Sequence, residues 1–488
     1  MRFYVTTTIP YVNARPHIGF ALELVQADAL ARHRRQRGAD VRFLSGTDDN
    51  SLKNVLAAEA AGVPTRDLVD RNAAAFAALR EPLALSFDDF IHTSRDPRHR
   101  PGVERFWRAC ADAGDLYRKH YEGRYCVGCE QFYAPDERCA EHDAPLQLVA
   151  EENWFFRLSR YQDQLYELIS SGRLRVEPAA RRNEVLAFIA AGLADFSISR
   201  SHTRARGWGI PVPDDPSQVI YVWWDALGNY LTALDYAHEG PDYRRWWLAG
   251  DRRVHLVGKG VVRFHAVYWP AMLLSAGAPL PTDVLVHDYL TVDGQKISKS
   301  AGTAVDPVTL VDRYGTDAVR WWLLREVPRV GDADFTVDKL VARADRDLAG
   351  GLGNLVNRVV SMVHRYRDGR PPSAELPDGP LTSAIVECPA AVDGAIGGYD
   401  LRRATAAVWR VVEEANRYVE RVRPWHLAKV GDEAGLDAAL ALLVRACRAV
   451  ATELAPFLPE TAARVAAQCT PIDGRLPTAH PVFPRLTP

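Results

Sequence analysis

Over the first quarter of the chain, short apolar runs alternate with amphipathic helical patterns. Arg2 to Thr7 predicts a strand, residues 19–37 predict a helix with a polar, arginine-rich outer face, and Val41 to Ser45 predicts a second strand. Strand, crossover helix and strand predict a parallel α/β sheet. From Tyr121 to Glu152 this order gives way to turns rich in Gly, Cys, Pro and Asp, the pattern of an inserted knuckle. Helical patterning returns at 159–171 and 180–193. Strand-like runs resume at Ile220 to Trp223, Arg253 to Val257 and Val284 to Val286, so the insertion is expected to split one sheet. Beyond residue 338 the periodicity is helical. The stretches 340–366, 381–397, 401–422 and 433–454 predict an α-helical bundle, with Arg370-Pro371-Pro372 and Pro377-Asp378-Gly379-Pro380 as loops within it.

Composition narrows this picture by exclusion. Of 488 residues 47% are hydrophobic and 25% charged, which excludes a mainly disordered chain and a small disulfide scaffold. With 60 basic and 62 acidic residues, no global charge announces a nucleic-acid binder, although a local basic surface is compatible with that balance. Arginine dominates the basic residues; lysine stands only at 53, 119, 259, 296, 299, 339 and 429, positions where a compact ammonium group has a reason to be kept. No charged leader with an apolar core opens the chain, and no apolar run is long enough to span a bilayer. Seven cysteines, three of them within fourteen residues, fit metal binding in a reducing compartment better than a disulfide framework, so a cytosolic location is expected.

That cysteine cluster is the first candidate site. Cys126-Val-Gly-Cys129 followed by Cys139-Ala-Glu-His142 is a C-x2-C, C-x2-H arrangement, two short pairs of soft ligands that can close a tetrahedral Zn²⁺ site. Four protein ligands leave no open position, so one structural zinc per chain is expected, stapling a loop too small to form its own core. Pro16-His17-Ile18-Gly19-Phe20 lies where the first strand turns into a helix, a place suited to an anion. A histidine that merely caps the helix beside a packing glycine explains the same residues. Lys296-Ile-Ser-Lys299-Ser300 puts two of the few lysines in a loop bounded by Asp293-Gly294 and Ala301-Gly302. Ammonium groups on such a loop can follow charge developing on a phosphoryl group.

With these residues in place the chain resembles class I aminoacyl-tRNA synthetases, whose paired ATP motifs, HIGH and KMSKS, are matched by HIGF and KISKS. The methionyl-tRNA synthetase family in particular is similar in Tyr4-Val-Thr-Thr-Thr-Ile-Pro-Tyr11, Gly46-Thr-Asp48, Gly207-Trp-Gly-Ile-Pro211, Tyr221-Val-Trp-Trp-Asp-Ala226 and Phe264-His265 with Trp269. The resemblance implies a Rossmann-like parallel sheet split by a zinc-containing insertion and followed by an α-helical bundle. Its expected domains are 1–118, the first half of the catalytic domain; 119–212, the insertion; 213–288, the second half; 289–340, the KISKS loop and stem-contact region; and 341–488, the anticodon-binding bundle. It also implies activation of L-methionine by ATP, with Mg²⁺, and transfer to tRNA(Met) by a monomer. The implied methionine pocket is Ile9, Tyr11, Trp223, Ala226, Tyr230, His265 and Trp269, with Asp48 holding the α-ammonium group. A polarizable thioether packs well against such ring edges. ATP is implied to meet His17, Gly19, Phe20, Glu23, Gly258, Lys296, Ser298 and Lys299, with His17, Lys296 and Lys299 stabilising the triphosphate. In the bundle, Asn354 and Arg358, four apart on one helix face, match the anticodon-reading pair, and Pro424-Trp425 match its stacking element.

Three positions depart from the family pattern, all near the expected nucleotide. Phe20 replaces the last histidine of HIGH, Asp49-Asn50-Ser51 replaces the Glu-His-Gly of TDEHG, and Gly260 replaces the aspartate of a GKD element. Two other readings therefore stand beside the first: a divergent paralogue that passes the adenylate to a non-tRNA acceptor, and a non-catalytic tRNA-binding regulator.

Overall fold

Apolar strands from the start and the middle of the chain meet in one sheet. The computed structural model describes residues 1–126, 131–133, 138–139, 146–297 and 304–487. Among them, six parallel strands lie in the order Asp89–His92, Asp40–Thr47, Arg2–Thr7, Arg252–Gly258, Asp283–His287, Arg175–Glu177. Val5 sits opposite Phe43 on one side and Val254 on the other, giving one apolar face, while Tyr4, Thr6 and His255 are buried on the other, so the centre of the sheet is covered on both sides. The chain leaves Arg2–Thr7 toward opposite sides of the sheet, to Asp40–Thr47 and to Arg252–Gly258. In open parallel sheets such a reversal marks where ligands bind, at the carboxyl ends of the strands.

Two compact units make up the chain. One comprises Met1–Pro16, Gly38–Arg80 and Ser86–His287 and contains this sheet. The other comprises His17–Arg37, Glu81–Leu85 and Asp288–Pro488, so the first long helix, Ile18–Gln36, belongs with the C-terminal helices. Polar contacts from that helix explain the grouping. His33 Nε2 lies 2.8 Å from Asp393 Oδ1, and Arg37 reaches Asp393 at 2.8 Å and Glu453 at 2.6 Å. Asp28 meets the fully buried guanidinium of Arg320 at 2.8 Å, and the same guanidinium donates to the carbonyls of Leu83, Pro456 and Phe457. A buried guanidinium is tolerated because carboxylate and carbonyls surround it; removing one partner of such a pair costs roughly 3–5 kcal/mol.

The helical bundle follows the sequence pattern closely, with Pro380–Gly397, Leu401–Val422 and Glu433–Leu454 where periodicity placed them. Three expectations differ. The run Ile220 to Trp223 is not a strand: the strand Asp215–Ile220 stops there, and Val222–Thr232 is a helix with Tyr221 as its N-cap. The stretch 340–366 is three segments, with a widened π-type helix over Asp345–Gly353 between Val337–Ala344 and Asn354–Arg367. Much of the expected knuckle is extended: Leu116–Cys126 pairs antiparallel with Gln147–Phe156, from Leu116 opposite Phe156 to Tyr125 opposite Gln147. Among the described residues no helix is long and apolar enough to cross a membrane.

Candidate active site and C-terminal helices

The residues expected to hold methionine converge within the sheet-containing unit. Ile9 and Tyr11 follow the strand Arg2–Thr7, Asp48 follows Asp40–Thr47, and a bridge pairs Tyr11 with Asp48, whose N–H donates to the Pro10 carbonyl at 2.9 Å. Gly46 is required here, because a Cβ would lie 2.4 Å from the Ile91 carbonyl and 3.1 Å from the Ile9 side chain. The helix Val222–Thr232 supplies Trp223, Ala226 and Tyr230. Trp223 stacks on Phe264 with centroids 3.8 Å apart and meets the Tyr11 ring edge-on at 6.4 Å.

Beneath these rings lies a chain of polar contacts that sequence reasoning missed. His265 directs Nδ1 at the Val261 carbonyl (2.9 Å), which can only accept, so Nδ1 carries a proton; its Nε2 lies 2.8 Å from the Tyr230 hydroxyl. Trp269 donates its indole N–H to His255 Nε2 at 3.2 Å, and His255 Nδ1 lies 2.7 Å from Thr6 Oγ1. Burial first, then the charges of His265 and Arg253, hold the His255 imidazole well below the usual histidine range. Its signal in the sequence is a histidine enclosed by Val254, Leu256 and Val257 within a strand.

The loop after Asp40–Thr47 is held from several sides. Asn54 Nδ2 donates to the carbonyls of Asp48 and Asp49, and Trp208 Nε1 to that of Asp49 at 2.8 Å. Burial raises the Asp49 carboxyl above the ordinary aspartate range, against the pull of hydrogen bonds that include Ser94. Ser51 caps the next helix, Leu52–Ala61, by accepting from the Lys53 N–H at 3.1 Å. Gly258 ends its strand at the same edge of the sheet.

The other unit contains the HIGF element and the described ends of the KISKS loop. His17 is the N-cap of Ile18–Gln36: its Nδ1 accepts from the Gly19 N–H at 3.1 Å. A neutral ring then carries its proton on Nε2. Any Cβ at residue 19 would lie 2.8 Å from that imidazole, so capping requires the glycine. Phe20 packs on the His17 ring with centroids 4.4 Å apart, and Glu23 is buried on the same helix. Both ends of the lysine loop reach this helix start. The Ile18 N–H donates to the Val305 carbonyl at 2.9 Å, and the Ile297 side chain stands 3.7 Å from the Cβ position of Gly19. Ser298, Lys299 and the Lys296 side chain lie outside the described residues.

Cys129 and His142 also lie outside them. Of the expected zinc ligands, Cys126 is buried at the end of its strand, and Cys139 Sγ accepts from the Tyr133 hydroxyl at 3.3 Å. Among the described residues no group of three or more His, Cys, Asp or Glu side chains could hold a metal. In the C-terminal helices, Arg358 stands 5.9 Å from the centroid of the Trp425 ring and bonds Glu420 at 2.8 Å. Trp425 is 41% exposed, and Pro424 is buried at the first position of its helix, Pro424–Val430. Asn354 opens onto a cleft of 410 Å³ shared with Asn357, Phe483 and Arg485, of which the last three were not anticipated.

The family model for class I tRNA synthetases (M) matches residues 3–146 and 135–360. A methionine–tRNA ligase from Brucella suis is 40% identical over 99% of this chain and 98% of its own length. The chain belongs to the methionyl-tRNA synthetase family. A Mesorhizobium japonicum methionine–tRNA ligase is 42% identical over 95% of this chain and 90% of its own length. The structure of Mycobacterium tuberculosis methionyl-tRNA synthetase in complex with methionyl-adenylate superposes with a TM-score of 0.94 at 38% identity, covering 99% of this chain and 100% of that one. The apo form of the same synthetase gives 0.86 at 36% identity, over 100% and 98%.

Two of the departures from the methionyl-tRNA synthetase pattern have structural accounts. Phe20 keeps a ring against His17, and Ser51 supplies a helix cap where the family pattern has glycine. At Gly260 nothing in the structure explains the missing carboxylate.

Proposed function

We propose that the chain condenses L-methionine with ATP to methionyl-adenylate and pyrophosphate, then transfers the methionyl group to tRNA(Met). A methionine carboxylate oxygen attacks the α-phosphorus, the bond to the pyrophosphate oxygen breaks, and pyrophosphate leaves. A hydroxyl of the terminal tRNA adenosine then attacks the adenylate carbonyl, its proton is lost, and AMP departs. No protein nucleophile enters either step, so the chain contributes by positioning and charge stabilisation. Asp48 accepts the α-ammonium group, while Ile9, Tyr11, Trp223, Ala226, Tyr230, His265 and Trp269 surround the thioether. His17 donates a hydrogen bond to the phosphates through Nε2, and Lys296 and Lys299 neutralise their charge; Gly19, Phe20, Glu23, Gly258 and Ser298 complete the nucleotide site. Mg²⁺ bound with ATP supplies further counter-charge.

The observation that carries this reading is the meeting of the His17 cap with both ends of the lysine loop, through Val305 and Ile297. For the tRNA, Arg358 beside the half-exposed Trp425 supports recognition of an unstacked base, with Asn354 on the same helix and Pro424 anchoring the indole. Structural zinc held by Cys126, Cys129, Cys139 and His142 fits the donor set: soft sulfurs, one of them receiving a hydroxyl hydrogen bond that orients it. The test is methionine-dependent pyrophosphate exchange followed by charging of tRNA(Met) transcripts. Exchange without charging would point to a different acceptor, and absence of exchange would overturn the reading. Trp425→Ala is expected to weaken charging at least about tenfold with exchange unchanged; equal losses in both would remove Trp425 from the anticodon role.

A further inference from the structure

Asn50, one of the residues that departs from the family pattern, touches two carboxylates at once. Its backbone N–H donates to Asp48 Oδ1 at 3.3 Å, and its side-chain Nδ2 donates to Asp225 Oδ2 at 2.7 Å. Asp225 is the residue before Ala226 on the helix Val222–Thr232, the helix that also carries Trp223 and Tyr230. The other oxygen of Asp225 receives His99 Nε2, and His99 Nδ1 lies 2.7 Å from Thr232 Oγ1 at the end of that same helix. Asp225 and His99 are almost completely buried, so water does not compete for these bonds. His99 thus clamps the pocket helix at two points a full two turns apart, and the carboxylate it fixes is the one that Asn50 grips.

We propose that Asn50 is a positioning residue for methionine: it sets the distance between the carboxylate that takes the substrate's ammonium group and the helix that takes its side chain. The proposal rests on the assignment of Asp48 and the Val222–Thr232 helix to methionine. Methionine reaches its pocket with both ends engaged only if the two receptors stand at the right separation, and Asn50 is bonded to both sides. The family's histidine at this position also offers an N–H, so the departure changes the donor and keeps the connection.

The test is pyrophosphate exchange by the full chain as wild type, Asn50→Ala and Asn50→His, with 4-(methylthio)butanoate as a competitive inhibitor. This analogue keeps the thioether and carboxylate and lacks the ammonium group, so it engages only one of the two receptors. Asn50→Ala is expected to raise KM for methionine at least about fivefold, with kcat and KM for ATP within about twofold. The analogue's Ki is expected to stay within about twofold, and Asn50→His to restore KM to within about twofold of wild type. An unchanged KM in Asn50→Ala, a parallel rise in KM and Ki, or a failure of Asn50→His to restore KM overturns the proposal while leaving the assigned function intact. A wild-type chain that exchanges no pyrophosphate with methionine overturns the function, and this proposal falls with it.

Discussion

Replacing His255 by glutamine isolates the contribution of one buried imidazole to stability against acid. The Trp269 indole N–H can only donate, so His255 Nε2 must present a lone pair to it, and the ring proton sits on Nδ1, facing Thr6 Oγ1. The ring is therefore neutral in the folded chain, in keeping with the burial that holds its titration well below the usual histidine range. An unfolded histidine takes up a proton as pH falls through about 6.5, while the folded one does not. The unfolded state then binds more protons, so stability is lost on acidification and retained above that range. Between about pH 7 and pH 5.5 this single group accounts for about 1.3 kcal/mol, the integral of a slope that cannot exceed about 1.4 kcal/mol per pH unit. Glutamine keeps an oxygen that can accept from Trp269 and does not titrate. Urea denaturation followed by tryptophan fluorescence at the two pH values measures the difference directly. His33, which burial also holds low, contributes acid sensitivity to both proteins and cancels in the comparison. If wild type and His255→Gln lose the same stability on acidification, the neutral-histidine assignment is wrong.

Two further outcomes are expected. Lys299→Ala should lower pyrophosphate exchange at least about tenfold while methionine binding, measured by equilibrium dialysis, is retained; an unchanged rate would remove the lysine loop from the chemistry. Elemental analysis should find about one zinc per chain, lost in Cys126→Ser, and a metal-free chain that remains fully folded would refute the zinc site.

Motif chemistry was the most legible layer of this sequence. HIGF and KISKS suggested an anion site through residue type, the TD element entered only through the family resemblance, and the helical periods beyond residue 338 marked most of the bundle. What eluded the sequence lay in contacts between distant residues. Nothing local states that Ile297 comes to rest over Gly19, or that Asn50 reaches Asp225 across 175 positions. The run Ile220 to Trp223 reads as a strand because a short apolar run has no periodicity to separate strand from buried helix. Only the turn at Tyr221 decides it. The pairing of Leu116–Cys126 with Gln147–Phe156 was hidden because several consecutive residues in each strand are exposed or half-exposed, which erases the alternation that betrays a half-buried strand. His17 posed a choice between cap and ligand, and the structure shows that the cap is made by one ring nitrogen, leaving the proton of the neutral ring on the other.

The helix Ile18–Gln36 leaves the ribosome long before its ionic partners are made. Asp393 follows His33 by 360 residues and Glu453 follows Arg37 by 416. At ordinary elongation speeds Arg37 waits roughly 20 to 80 s for Glu453 to be synthesised. Throughout that interval a nascent chain exposes the apolar side chains that this helix buries when folded, which makes it a natural client for chaperones during translation.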